Sequence, residues 1–201
     1  MFKFSRRKFL HYLTVTFGGA AASATNALAA ASSVSPGSTR STGPLQFTLS
    51  SPVSATLAPF CLGYAFRKGQ IPAGQTIASS IPSLQVTPKN YWPDGSLKFA
   101  IVAGSAALTA DTPVTATLAI GAVDATPALT TADLRATGIT ASVAAGAFGT
   151  AHWAAADWNT PFQTWISGPQ MSSWIYRKPV GSDAHLVAWL EVRLFASGAV
   201  E

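Results

Sequence analysis

Leu186-Val187-Ala188-Trp189-Leu190-Glu191-Val192-Arg193-Leu194-Phe195 is the longest strand pattern in the chain, and the fold is read outward from it. Leu186, Ala188, Leu190, Val192 and Leu194 alternate with Val187, Trp189, Glu191, Arg193 and Phe195. A period of two places each set on one face of a pleated strand. The same alternation recurs in Leu45 to Leu49, Leu84 to Thr87, Leu97 to Ile101 and Val114 to Ile120. Between these runs fall turn formers: Lys68-Gly69, Pro72-Ala73-Gly74, Pro93-Asp94-Gly95, Asp111-Thr112-Pro113 and Pro179-Val180-Gly181. Glycine and proline at those points change the chain's direction at low cost. Helix is expected only over Thr130 to Thr137, with Thr130 or Thr131 as cap, Asp133 in the first turn and Gly138 as the stop. The pattern predicts an all-β protein, an antiparallel barrel or sandwich with at most one short helix.

After Phe195, Ser197-Gly198 reads as a tight turn, and Ala199-Val200-Glu201 as the start of a return strand. An edge left without its partner invites aggregation, so the chain is expected to be part of a longer protein. At the other end, Ser5-Arg6-Arg7-Lys8-Phe9-Leu10 has the form of a twin-arginine export signal. A weakly apolar stretch, Tyr12 to Ala24, and Ala27-Leu28-Ala29 follow it, which predicts cleavage after Ala29. The glycine, serine and threonine content of that stretch argues against an uncleaved membrane anchor. The predicted organisation is a leader over 1–29, a flexible small-residue linker over 30–43 and one β domain over 44–201, periplasmic or secreted, with the twin-arginine export machinery as its partner.

Charge supports no nucleic-acid partner. Of thirteen basic residues, Lys3, Arg6, Arg7 and Lys8 belong to the leader, and the nine that remain stand against eight acids in a nearly neutral domain. No basic stripe exists to track phosphates. The single cysteine, Cys61, excludes an internal disulfide; in Pro59-Phe60-Cys61-Leu62 it reads as a small buried hydrophobe.

Chemistry-bearing motifs are few. His152 and His185 lack metal-ligand spacing, and the chain has no nucleophile elbow and no phosphate-binding glycine pattern. No cofactor and no metal are expected. His152, His185, Arg177 and Lys178 are the groups that a sugar-cleaving lyase would draw on, but their spacing assigns no catalytic residue. Aromatics carry more information. Four of the six tryptophans lie within residues 153–174, and exposed indoles stack on sugar C–H groups. The candidate ligand-binding residues are Trp92, Asp94, Trp153, Trp158 and Arg177, set against the alternative that large aromatics fill the core. Trp92-Pro93-Asp94-Gly95-Ser96 also reads as a type I turn launching a strand, a scaffold role for Trp92 and Asp94.

Two segments stand out together: Gly63-Tyr64-Ala65-Phe66-Arg67-Lys68-Gly69-Gln70-Ile71-Pro72-Ala73-Gly74 and Gln85-Val86-Thr87-Pro88-Lys89-Asn90-Tyr91-Trp92-Pro93-Asp94-Gly95-Ser96-Leu97-Lys98. With Trp165-Ile166-Ser167-Gly168-Pro169 and the 186–195 strand, they resemble the N-terminal barrel-like β domain of the exo-rhamnogalacturonan lyase and YetA-like family over residues 45–201. In that family a central β region and a helical toroid follow, and neither is present in this sequence. The resemblance implies an exported, carbohydrate-associated domain, non-catalytic alone, with an acidic oligosaccharide as ligand. A complete small lyase or hydrolase, and an envelope structural or adhesion module, are the alternatives.

Overall fold

The computed structural model describes residues 13–18, 45–81, 83–121 and 126–201. Arg6, Arg7, Ala29 and the 30–43 linker lie outside the described residues. The strands, in chain order, are β1 (Leu13–Gly18), β2 (Leu45–Leu49), β3 (Ala55–Ala65), β4 (Thr76–Ser79), β5 (Leu84–Tyr91), β6 (Leu97–Leu108), β7 (Val114–Gly121), β8 (Thr140–Ala145), β9 (Thr150–Trp153), β10 (Gln163–Ile166), β11 (Met171–Val180) and β12 (Asp183–Phe195). The one α-helix among the described residues, α1, spans Thr131–Ala136. Every pairing is antiparallel, in four three-stranded sheets ordered β2-β7-β4, β3-β6-β5, β1-β8-β9 and β10-β11-β12. The protein is all-β as the alternation predicts, in the sandwich form, and among the described residues no barrel closes.

Two principal cores form. In the first, Phe47 and Leu49 of β2, Ile77 of β4 and Ala116 and Leu118 of β7 pack onto Phe60 and Leu62 of β3 and Ala100 and Val102 of β6. The Phe47 and Phe60 rings meet across the sandwich at 5.7 Å. β6 is central in its sheet and buried on both faces, so its run of small apolar residues fits where an alternating strand would not. The second core joins Ala141, Val143 and Ala145 of β8 and Leu134 of α1 to Trp153, Trp158, Trp174, Tyr176, Leu190, Val192 and Leu194. Trp158 and Tyr176 meet edge to face at 5.1 Å, and the Tyr176 hydroxyl donates to the Trp158 carbonyl at 2.9 Å. The helix is capped as its sequence demands: Thr130 Oγ1 accepts from the Asp133 N–H, and the Asp133 carboxylate accepts from the Thr130 N–H.

A third cluster, Ala103, Ile166, Met171 and Phe195, joins the two. Buried Gln85 fastens the junction. Its Oε1 accepts from the backbone N–H groups of Gln170 (2.9 Å) and Met171 (3.0 Å), and its Nε2 donates to the Met171 carbonyl at 3.0 Å. Gly168 makes room, because a Cβ there would overlap the Gln85 carboxamide. The domain expected over 44–201 therefore holds two main cores and a polar staple between them.

β1 lies within the stretch read as the apolar part of the leader. It pairs with β8 from Leu13↔Ala145 to Gly18↔Thr140. Leu13-Thr14-Val15-Thr16-Phe17 alternates apolar with β-branched polar residues, a composition that suits a strand.

Candidate functional site

The outer face of β10-β11-β12 shows why the site lies there. Trp174, Tyr176, Leu190 and Val192 point into the second core, so the opposite phase of the same strands points away from it. Near Met171 and Phe195 this outer face is covered by the third cluster. Farther along it emerges into solvent at the cross-strand pairs Ile175↔Glu191, Arg177↔Trp189 and Pro179↔Val187. There the Phe162 and Trp189 rings meet edge to face at 5.0 Å, 48% and 56% exposed. The Arg177 guanidinium lies 4.1 Å from the Phe162 ring centre and 5.8 Å from that of Trp189. Phe162 is held in place by its backbone N–H, which donates to the Ile175 carbonyl at 2.8 Å.

A second aromatic and cation pair borders this face. Lys89 of β5 donates from Nζ to the Trp165 carbonyl at 2.5 Å, and the ammonium lies 4.1 Å from the Trp165 ring centre. Burial lowers the Lys89 pKa below the ordinary lysine value, and the negative charge of Glu191 opposes that shift. Glu191 is itself bound by Arg193 at 2.9 Å, and Glu201 lies 3.8 Å from the same guanidinium. Arg177 differs from these bases: among the described residues its contacts are the two rings, with no ion pair to an acid. Exposed aromatic rings and a guanidinium without an acid partner can stack on an apolar sugar face and pair with a carboxylate beside it.

Of the residues expected from sequence, Arg177 stands in this site. Trp153 and Trp158 do not: they are 1% and 0% exposed, and both indoles are enclosed in the second core. Trp158 donates from Nε1 to the Ile139 carbonyl at 2.9 Å, which binds its polar edge internally. No ring face of either is open for a sugar to stack on. Trp92 and Asp94 shape the turn between β5 and β6. The Trp92 N–H donates to the Ser96 carbonyl and the Gly95 N–H to the Trp92 carbonyl, each at 2.8 Å, with Gly95 at φ +81°. Trp92 Nε1 donates to the Phe66 carbonyl at 3.1 Å. Asp94 Oδ1 accepts from the Ser96 hydroxyl at 2.6 Å and from the Ser96 N–H at 3.1 Å, and these bonds hold its carboxyl below the usual aspartate value.

The residues that sequence reasoning left out are Phe162, Trp165, Trp189 and Lys89. Trp189 carried a usable signal, because it shares the phase of Glu191 and Arg193 in the 186–195 alternation, the face turned away from the second core.

A separate polar group gathers His152, Asp157 and Lys178. Lys178 Nζ donates to Asp157 Oδ1 at 2.6 Å and to the His152 carbonyl at 2.8 Å. Burial would raise the Asp157 carboxyl, but the bonds from Lys178 and the Ala154 N–H and the charges of Lys178 and His152 outweigh it and lower the pKa. His185 is exposed on β12. Burial pushes the half-buried Cys61 thiol up, against the pull of Arg193. Among the described residues no three His, Cys, Asp or Glu side chains are grouped to hold a metal ion. Neither a protein-family model, nor a curated protein, nor a solved structure matches the chain.

Proposed function

We propose that this chain is an exported carbohydrate-associated β domain that binds an acidic oligosaccharide on the outer face of β10-β11-β12 and is not a catalyst by itself. One observation carries the reading: Phe162 and Trp189 are both about half exposed, and Arg177 lies over them without an acid partner among the described residues. Burying large aromatics is the ordinary outcome in a β protein, and this chain does so with Trp153, Trp158 and Trp174. Leaving aromatics on a flat sheet face beside a cation forgoes that stabilisation, and a ligand that stacks on them restores it. The sequence resemblance to the N-terminal domain of rhamnogalacturonan-type lyases agrees in ligand class. Export through the twin-arginine machinery to the periplasm or beyond belongs to the same reading; it predicts that replacing Arg6 and Arg7 by lysine retains the protein in the cell.

Tryptophan fluorescence of the full chain, titrated with galacturonic-acid oligomers and with neutral oligomers of equal length, tests the proposal. Saturable change with the acidic series and little with the neutral one supports it. No response to either removes it. An enzymatic reading draws on the Lys178, Asp157 and His152 group. It predicts release of unsaturated, ultraviolet-absorbing product that is lost in His152→Ala. A structural or adhesion module predicts neither binding nor product.

A further inference from the structure

The edge of β8 has one occupant in the structure. β1 covers it over six consecutive pairs without a bulge, and on its other side β8 pairs regularly with β9. The Ala145 N–H donates to the Gly149 carbonyl at 2.9 Å, so Ala145 turns its backbone groups toward β9. Alternation along an antiparallel strand then turns those of Ser142 and Ala144 the other way, toward β1. Ser142 faces Thr16 and Ala144 faces Thr14. Without β1, these donors and acceptors would line a bare edge.

Natural sheets guard such edges with charges, prolines or bulges. Thr140-Ala141-Ser142-Val143-Ala144-Ala145 has none of them. It is short, uncharged and built of small side chains, so no charge on it repels a second copy. A two-fold axis perpendicular to the sheet through Ser142 would pair Ser142 with Ser142 of a second copy and Ala144 with Thr140. Val143 would then lie across from Ala141, and each copy's core face would stay on the same side of the joined sheet. That register uses the Ser142 and Ala144 groups that now serve β1.

We propose that β8 is a homodimerisation edge and that β1 is the strand that masks it. The residues of β1 fall in the stretch read as leader, so on that reading removal of the leader uncovers the edge. The protein then pairs through β8 into a continuous β9-β8-β8-β9 sheet. Dimerisation at β8 does not depend on the glycan reading, because the aromatic face lies on a different sheet.

The test uses the full chain. Thr14→Pro/Thr16→Pro removes the β1 donors facing β8 at Ala144 and Ser142. Light scattering is expected to give 20.8 kDa for the wild type and twice that mass for the variant. Adding Ser142→Pro should return the variant to a monomer. In a Cys61→Ser background, Ser142→Cys in the unmasked variant should form an intermolecular disulfide, because Cα atoms of a hydrogen-bonded pair lie about 5.5 Å apart, within disulfide reach. Hydrogen exchange on the wild type reads the mask without any substitution, with slow exchange expected at Ser142 and Ala144. A monomeric unmasked variant, a dimer whose Ser142→Cys form gives no cross-link, or fast exchange at Ser142 and Ala144 in the wild type overturns the proposal.

Discussion

Gln85→Leu should strip the protein of the staple between its two cores. Leucine nearly matches glutamine in volume, so the change removes hydrogen bonds while opening little space. Three backbone groups lose their partner: the N–H and carbonyl of Met171 and the N–H of Gln170. Met171 is fully buried, so water cannot replace the lost partners there, whereas Gln170 is half-buried and can recruit solvent. An orphaned buried polar group costs roughly 1–3 kcal/mol, so two give about 2–6 kcal/mol; relief from desolvating the amide side chain brings the expected loss to about 3 kcal/mol. For a domain of this size that is a fall of roughly 6–12 °C in melting temperature. Urea denaturation followed by tryptophan fluorescence reads the free energy, and hydrogen exchange at Met171 reads the local opening. Because the staple couples the cores, the transition should also broaden or split. A loss below about 0.5 kcal/mol, with the Met171 amide still protected, would show that the junction is held by Ala103, Ile166, Met171 and Phe195 alone and would refute the reasoning.

Tyr176→Phe keeps the ring against Trp158 but removes the bond to the Trp158 carbonyl, a loss of about 1 kcal/mol by calorimetry; a variant as stable as wild type would contradict that bond's contribution. Burial raises the Tyr176 phenol far above its usual range, so its absorbance change on alkaline titration should coincide with unfolding rather than precede it. Asp94, Asp133 and Asp157 are all held below the ordinary aspartate value, while burial raises Glu201. The lowered carboxyls add stability above their unfolded pKa of about 3.9, and it is lost as pH falls through their folded values; Glu201 acts with the opposite sign. Urea midpoints should therefore drop below about pH 4, and less so in Asp133→Asn; a flat profile down to about pH 2.5 would contradict the assignment.

The parts of the fold that the sequence discloses are those where one strand face is buried and the other wet. Leu45 to Leu49, Val114 to Ile120 and Leu186 to Phe195 obey that rule and became β2, β7 and β12. β3 hid behind Pro59 and Gly63, which an edge strand tolerates and which local reading takes for breaks. β11 hid because Ser172 and Ser173 are buried along with Met171 and Trp174, so no period survives in its first half. Thr130, Asp133 and Gly138 gave the helix away because caps are chosen by local hydrogen bonds. The site was harder to see. Arg177 was legible as a charge, but which tryptophans are wet depends on tertiary packing, and the local density of tryptophans pointed to Trp153 and Trp158, which the core took.

The central claim, a glycan on the aromatic face, is tested most directly by the indole N–H signals of the six tryptophans in a two-dimensional NMR titration with a galacturonic-acid oligomer. The account predicts that the Trp189 signal moves, with Trp165 following, and that Trp153 and Trp158 stay fixed. It also predicts that Arg177→Ala weakens binding at least about tenfold, roughly 1.4 kcal/mol. A titration that moves only Trp92, or none of the six, would contradict it.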